Sequence, residues 1–218
     1  GEAELSHERD EKVTKAGIVG CRGCDGKHAK WYNHMPAYEI KKKIDRKSWN
    51  SYYKFCGVRN PFDKAVSMYN DVRSSRSKGY INGILRGKVA SQNTYLLKKD
   101  FERFVKTFKS DKSKYVIDGQ LCVDAVIFFE SLKHDIDKIA KAIGLNTSHA
   151  MLPRLKSKNR INEYESYRYY NEDSKRYIKE EFEFEINTFG YTFPEPGKAS
   201  SPAESKKKKF TPSVKKAS

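Results

Sequence analysis

This sequence is short of several things, and each shortage excludes something. No apolar run approaches the roughly 18 to 20 residues that a membrane-spanning helix needs, and no stretch has the layout of a secretory leader. The expectation is therefore a cytoplasmic protein without a membrane span. Cysteine is sparse: four residues, at positions 21, 24, 56 and 122, do not make a disulfide framework in a chain of 218. Acidic residues are also under-represented, with 28 Asp and Glu against 44 Lys and Arg, for a net charge of +16. A chain that basic favours anionic ligands: a nucleotide, a sulfated or acidic polymer, or nucleic acid.

What is present fits one polar-surfaced globular domain, with 37% hydrophobic and 13% aromatic residues in a chain long enough to bury a continuous core. Residues 198–218 hold seven lysines and one glutamate, so +6 of the +16 lies in the tail. The stretch Lys198 to Lys209 is Ser, Pro, Ala and Lys with almost no apolar content. Residues 196–218 are therefore expected to be a disordered Lys-rich tail, and residues 1–195 the folded domain. The run Lys206 to Lys209 reads first as a solvated tail and second as a localisation signal or a polyanion tether.

The densest information lies between Tyr52 and Tyr69. The apolar, aromatic run Tyr52 to Val58 has strand composition, Pro61 suits the first turn of a helix, and Phe62, Ala65, Val66 and Tyr69 recur at helical spacing. Ser67 falls off that stripe, beside Asp63 and Asn70. Arg59 sits just before the helix, where a guanidinium fork can grip a phosphate next to free backbone N–H groups.

Val58-Arg59-Asn60-Pro61-Phe62-Asp63-Lys64-Ala65-Val66-Ser67-Met68-Tyr69 resembles the 3′-phosphate-binding element of the sulfotransferases that use 3′-phosphoadenosine 5′-phosphosulfate (PAPS). Tyr32 to Ile40, Phe101 to Val105, Asp124 to Leu132 with His134-Asp135, Leu152 to Lys158, Tyr164 to Tyr170 and Phe189-Gly190-Tyr191-Thr192-Phe193 resemble further segments of the carbohydrate-type (family 2) branch, so the likeness runs from about Trp31 to Phe193. It implies an α/β fold of the P-loop-like sulfotransferase type, with a central parallel sheet that includes Tyr52 to Val58 and Ala125 to Phe129, flanked by helices. It also implies that Arg59 and Ser67 hold the 3′-phosphate and that His34 is the general base. Ser157, Lys158 and Arg160, in a basic loop, would lie near the phosphate or adenine. PAPS is the implied co-substrate, no metal is required, and the acceptor is a hydroxyl on a carbohydrate.

One departure from the family stands out. The Lys-x-Gly-Thr-Thr/Ser loop that cradles the 5′-phosphosulfate has no counterpart here. Lys15 to Gly20 has a lysine and glycines, but no apolar strand precedes it. The expectation is a chain that begins downstream of its first βα unit and is catalytically silent as given. Two rivals follow from the composition: a non-catalytic basic module for nucleic acid or another polyanion, with Tyr164, Tyr167, Tyr169 and Tyr170 as a stacking surface, and a nucleotide-binding pseudoenzyme.

The remaining readings are local. Cys21, Cys24, His28 and His34 form C-x₂-C-x₃-H-x₅-H, but the Cys-to-His gap is shorter than usual finger spacing. The cluster admits a zinc site, a local disulfide or two thiols in a glycine-rich loop, and the metal-free readings are preferred. Cys56 and Cys122 read as small core residues. Helices are expected over Pro36 to Ile44, Ser131 to Ile143 and Asn171 to Phe189. Ser131 to Ile143 has Leu132, Ile136, Ile139 and Ile143 on one face and Gly144 as its stop, while Asn171 to Phe189 has Asn171 as N-cap and Gly190 at C′. Ser74 to Thr94 is expected to be a basic loop near the acceptor.

Overall fold

The computed structural model describes residues 10–14, 17–22, 27–74, 94–145 and 163–195, together with Pro202 and Phe210. Residues 75–93 of the expected Ser74 to Thr94 loop, the Leu152 to Lys158 segment with Ser157 and Lys158, Arg160 and almost all of the tail lie outside the described residues. The chain divides into two units: residues 1–52 with 113–122, and residues 53–112 with 123–218.

In the first unit, β1 (Lys12–Thr14) and β2 (Gly17–Val19) pair antiparallel. The Lys15 region is thus bracketed by a hairpin and not by a strand entering a helix. Cys21 and Tyr32 then form a bridge, with the Cys21 N–H donating to the Trp31 carbonyl at 2.8 Å. A Cβ on Gly20 would lie 2.6 Å from the Tyr32 carbonyl carbon, so only glycine permits that approach. Helix α1 (Ala37–Lys43) begins after Pro36. Helix α2 (Arg46–Ser51) was not anticipated, although Asp45 caps it with bonds to the Ser48 N–H at 2.9 Å and hydroxyl at 2.6 Å. Strands β4 (Val116–Ile117) and β5 (Gln120–Leu121) meet at Asp118-Gly119, both at positive φ, as a two-residue hairpin turn requires.

The second unit carries the parallel pair, β3 (Phe55–Val58) beside β6 (Ala125–Phe128), in register from Phe55 opposite Ala125 to Val58 opposite Phe128. Strand β3 is shorter than expected because Tyr52 terminates α2. The mixture of helices with a small parallel sheet is α/β in class. At the strand starts, the Asp124 carboxylate accepts the Lys54 N–H at 2.8 Å and its own N–H returns to the Lys54 carbonyl at 2.7 Å. Helix α3 (Pro61–Ser74) leaves β3 directly, and Phe62, Ala65, Val66 and Tyr69 are all buried, as their spacing demanded.

Against that stripe pack α4 (Thr94–Val105), the 3₁₀ segment Glu163–Tyr169 and α6 (Glu172–Glu181), forming a core of Phe62, Tyr69, Phe101, Phe104, Tyr170 and Phe182 among others. The rings meet largely edge to face, Phe101 and Tyr170 at 4.8 Å and Tyr69 and Phe101 at 5.3 Å. Each such pair adds about 0.5–1.5 kcal/mol beyond area burial. Helix α5 (Leu132–Ala142) covers β6 through Leu132, Ile136 and Ile139, but Ile143 lies past the helix end and is exposed. The expected helix Asn171 to Phe189 is two, α6 and α7 (Glu183–Phe189), broken at Phe182, where ψ is 24°. Its ends match expectation: Asn171 forms a capping box with Ser174, and Gly190 adopts φ 75°. Phe210, within the expected disordered tail, meets Phe189 edge to face at 5.4 Å and Phe128 at a tilt at 6.3 Å.

Candidate functional site

The strand-to-helix turn after β3 is built around Asn60, which is fully buried. Pro61 has no N–H to satisfy, and the Asn60 side-chain oxygen accepts from the next donor, the Phe62 N–H, at 3.0 Å. The Asn60 side-chain amide donates to the Thr192 carbonyl at 2.9 Å, and its backbone N–H donates to the Glu130 carboxylate at 2.8 Å. Three segments thus converge on one residue and fix where Arg59 stands.

Arg59 is half-buried, and its guanidinium carbon lies 4.5 Å from the centre of the Phe129 ring. Ser67 is also half-buried, on the α3 face shared with Asp63 and Asn70. Asn70 accepts the Tyr169 hydroxyl at 3.2 Å, so that face makes polar contacts beside the apolar stripe. The resulting chemistry is a cation at the positive end of a helix, with a hydroxyl two turns along, which suits an anion of the phosphate class.

Carboxyl groups nearby are tuned by this environment. Burial raises the Glu130 pKa, against the Asn60 N–H, the Tyr191 hydroxyl and the Arg59 charge, which lower it. Burial also pushes the Tyr191 hydroxyl well up, reinforced by Glu130. Tyr170 is pushed up by burial and then by Asp63, and its hydroxyl donates to the Phe62 carbonyl at 2.8 Å.

His34 belongs to the first unit and Arg59 and Ser67 to the second. His34 is exposed and adopts φ 63°, two residues after the Tyr32 bridge; Pro36, not His34, occupies the N-cap of α1. Glu39 of α1 accepts the Tyr32 hydroxyl at 2.8 Å, which ties the His34 segment to its helix. His134 is exposed.

Cys21 is disulfide-bonded, so its sulfur is not a thiolate ligand, and Cys24 lies outside the described residues. Among the described residues no three His, Cys, Asp or Glu side chains cluster as metal ligands. Cys56 and Cys122 are reduced thiols of intermediate burial rather than core residues. Tyr169 and Tyr170 are buried packing anchors, which removes them from any surface for stacking bases. Among the described residues no helix is long and apolar enough to cross a membrane.

Sequence reasoning named Arg59 and Ser67 as the phosphate-holding pair but gave no role to Asn60, Glu130 and Tyr191. An Asn directly before a helix-opening Pro is an N-cap signal and could have exposed Asn60. Nothing local marks Glu130, whose partners are 61 and 70 residues away.

A protein-family model described as "Sulfotransferase family" matches residues 22–192. An uncharacterized protein of the archaeon Archaeoglobus fulgidus is 31% identical over 111 residues, covering 51% of this chain and 83% of that protein. No solved structure matches the chain.

Proposed function

The chain belongs to the sulfotransferase family, and on that premise we propose that, once a 5′-phosphosulfate loop completes the site, the protein transfers a sulfuryl group from PAPS to a hydroxyl on a carbohydrate acceptor, within a P-loop-like sulfotransferase fold. Arg59 and Ser67 hold the 3′-phosphate. His34 accepts the proton of the acceptor hydroxyl as its oxygen bonds to sulfur and the bond from sulfur to the 5′-phosphate oxygen breaks. A cation and oriented donors suit the charge on the transferring group. Ser157, Lys158 and Arg160, from their place in the sequence pattern, would close over the nucleotide.

The observation that carries this reading is the Arg59 turn: a half-buried guanidinium at the end of a parallel strand, immediately before a helix whose cap is tied down on three sides. The burial of Tyr169 and Tyr170 favours it over single-strand nucleic-acid binding. Isothermal calorimetry tests it. The protein is expected to prefer 3′,5′-bisphosphoadenosine to adenosine 5′-monophosphate, and Arg59→Ala to remove about 1.5–3 kcal/mol of that preference, the range of a charged hydrogen bond. Equal binding of the two nucleotides would rule the site out.

A further inference from the structure

Strands β3 and β6 end side by side, Val58 opposite Phe128, and the two residues after each strand grip those after the other. The Arg59 guanidinium lies over the Phe129 ring at 4.5 Å, and the Asn60 N–H donates to one Glu130 carboxylate oxygen at 2.8 Å. The other Glu130 oxygen accepts the Tyr191 hydroxyl at 3.3 Å, while Thr192 takes the Asn60 side-chain amide at 2.9 Å. Glu130 therefore straps the arginine turn to the segment that follows α7. Packing and hydrogen bonding alone do not call for a carboxylate here. A neutral amide could accept from Asn60 and donate to the Tyr191 oxygen, so the charge itself asks for an explanation.

We propose that Glu130 is a positioning residue of the anion site, bonded to the residue next to Arg59, and that its carboxylate sets a negative charge beside that site. Its two hydrogen bonds hold the turn in place, and its negative charge restrains how tightly that turn binds a phosphate. The inference rests on the reading of Arg59 as the phosphate grip. An ionised Glu130 repels an incoming phosphate, whereas a protonated one does not, so its titration is coupled to anion affinity. The titratable and charged groups acting on it are Arg59, just after β3, and Tyr191, after α7, with Cys56 of β3 acting on that tyrosine.

Calorimetry with 3′,5′-bisphosphoadenosine and adenosine 5′-monophosphate on the wild type, Arg59→Ala, Glu130→Gln and Glu130→Ala decides the matter. Glu130→Gln keeps the strap and removes the charge, so at pH 8 it is expected to bind the bisphosphate about 3- to 10-fold more tightly than the wild type. The ratio should approach one on acidification, as the wild-type carboxyl protonates; the free nucleotide's own titration is common to both proteins and cancels. Glu130→Ala leaves the Asn60 N–H and the Tyr191 hydroxyl without this partner, and its preference for the bisphosphate should shrink. Should the alanine variant fail to fold, the glutamine variant still carries the test. A glutamine-to-wild-type ratio of one at every pH, with the wild-type preference intact, overturns the Glu130 inference alone. No wild-type preference and an indifferent Arg59→Ala overturn the phosphate site and this inference together.

Discussion

Asn60 engages three segments with three different atoms, and that economy explains why the residue after the key arginine is buried completely. Truncating its side chain would orphan a helix N–H and a carbonyl at once, while its backbone N–H would still reach Glu130. His34 is the opposite kind of residue, exposed and held at φ 63°, a conformation few non-glycine residues adopt. Its proposed role is best tested with His34→Asn, since asparagine tolerates the left-handed region while lacking an imidazole. In a protein given an upstream strand and Lys-x-Gly-Thr-Ser loop, turnover should fall by ~10²-fold or more while bisphosphate affinity holds, because a general base acts on the acceptor proton. Unchanged turnover would free His34 from that role.

Among the elements, the tie between α4 and α6 shows how a buried carboxylate holds helices together. Glu102 of α4 accepts from the Asn171 side-chain amide at 2.9 Å, from Lys106 at 3.0 Å and from Lys99 at 3.3 Å. The same Asn171 caps α6 through the Ser174 N–H at 2.8 Å. Led by the Asn171 bond, these partners lower the Glu102 pKa from 4.5 to about 2. The stabilisation is therefore complete above the unfolded value and is lost as pH falls toward the folded one. Glu102→Gln should destabilise the protein at neutral pH by about 1–2 kcal/mol, discounted because both lysines are half in solvent. In denaturant titrations the gap between variant and wild type should close between pH 4.5 and about 2; a gap independent of pH would mean that packing, not charge, carries the effect.

At the scale of the whole molecule, charge is the dominant property, with +16 overall and four consecutive lysines at 206–209. Phe210, directly after that run, lies against Phe128 and Phe189, so deleting the tail would confound charge with packing. Replacing Lys206, Lys207, Lys208 and Lys209 by glutamine isolates the charge. Salt-sensitive, nonspecific binding to DNA should weaken, with the slope of log K against log salt falling by roughly 0.7–0.9 for each phosphate that is no longer neutralised. Bisphosphoadenosine binding should be unchanged. An unaltered salt slope would place the DNA-binding charge in the folded part and revive the nucleic-acid reading.

By itself the sequence determined the features that depend on neighbours along the chain. The α3 stripe of Phe62, Ala65, Val66 and Tyr69, the Asn171 cap, the Gly144 and Gly190 stops and the strands around Cys56 and Val126 were legible, because periodicity and capping are local. Where local signals misled, tertiary packing explains it: Phe182 interrupts a continuous helical pattern with its ring 5.1 Å from Phe108. Arg59 and Ser67 could be named from their register, but what holds the arginine could not. Only the fold brought Glu130, Tyr191 and Thr192 to Asn60, since hydrogen bonds spanning 61 to 132 residues leave no pattern in a single chain.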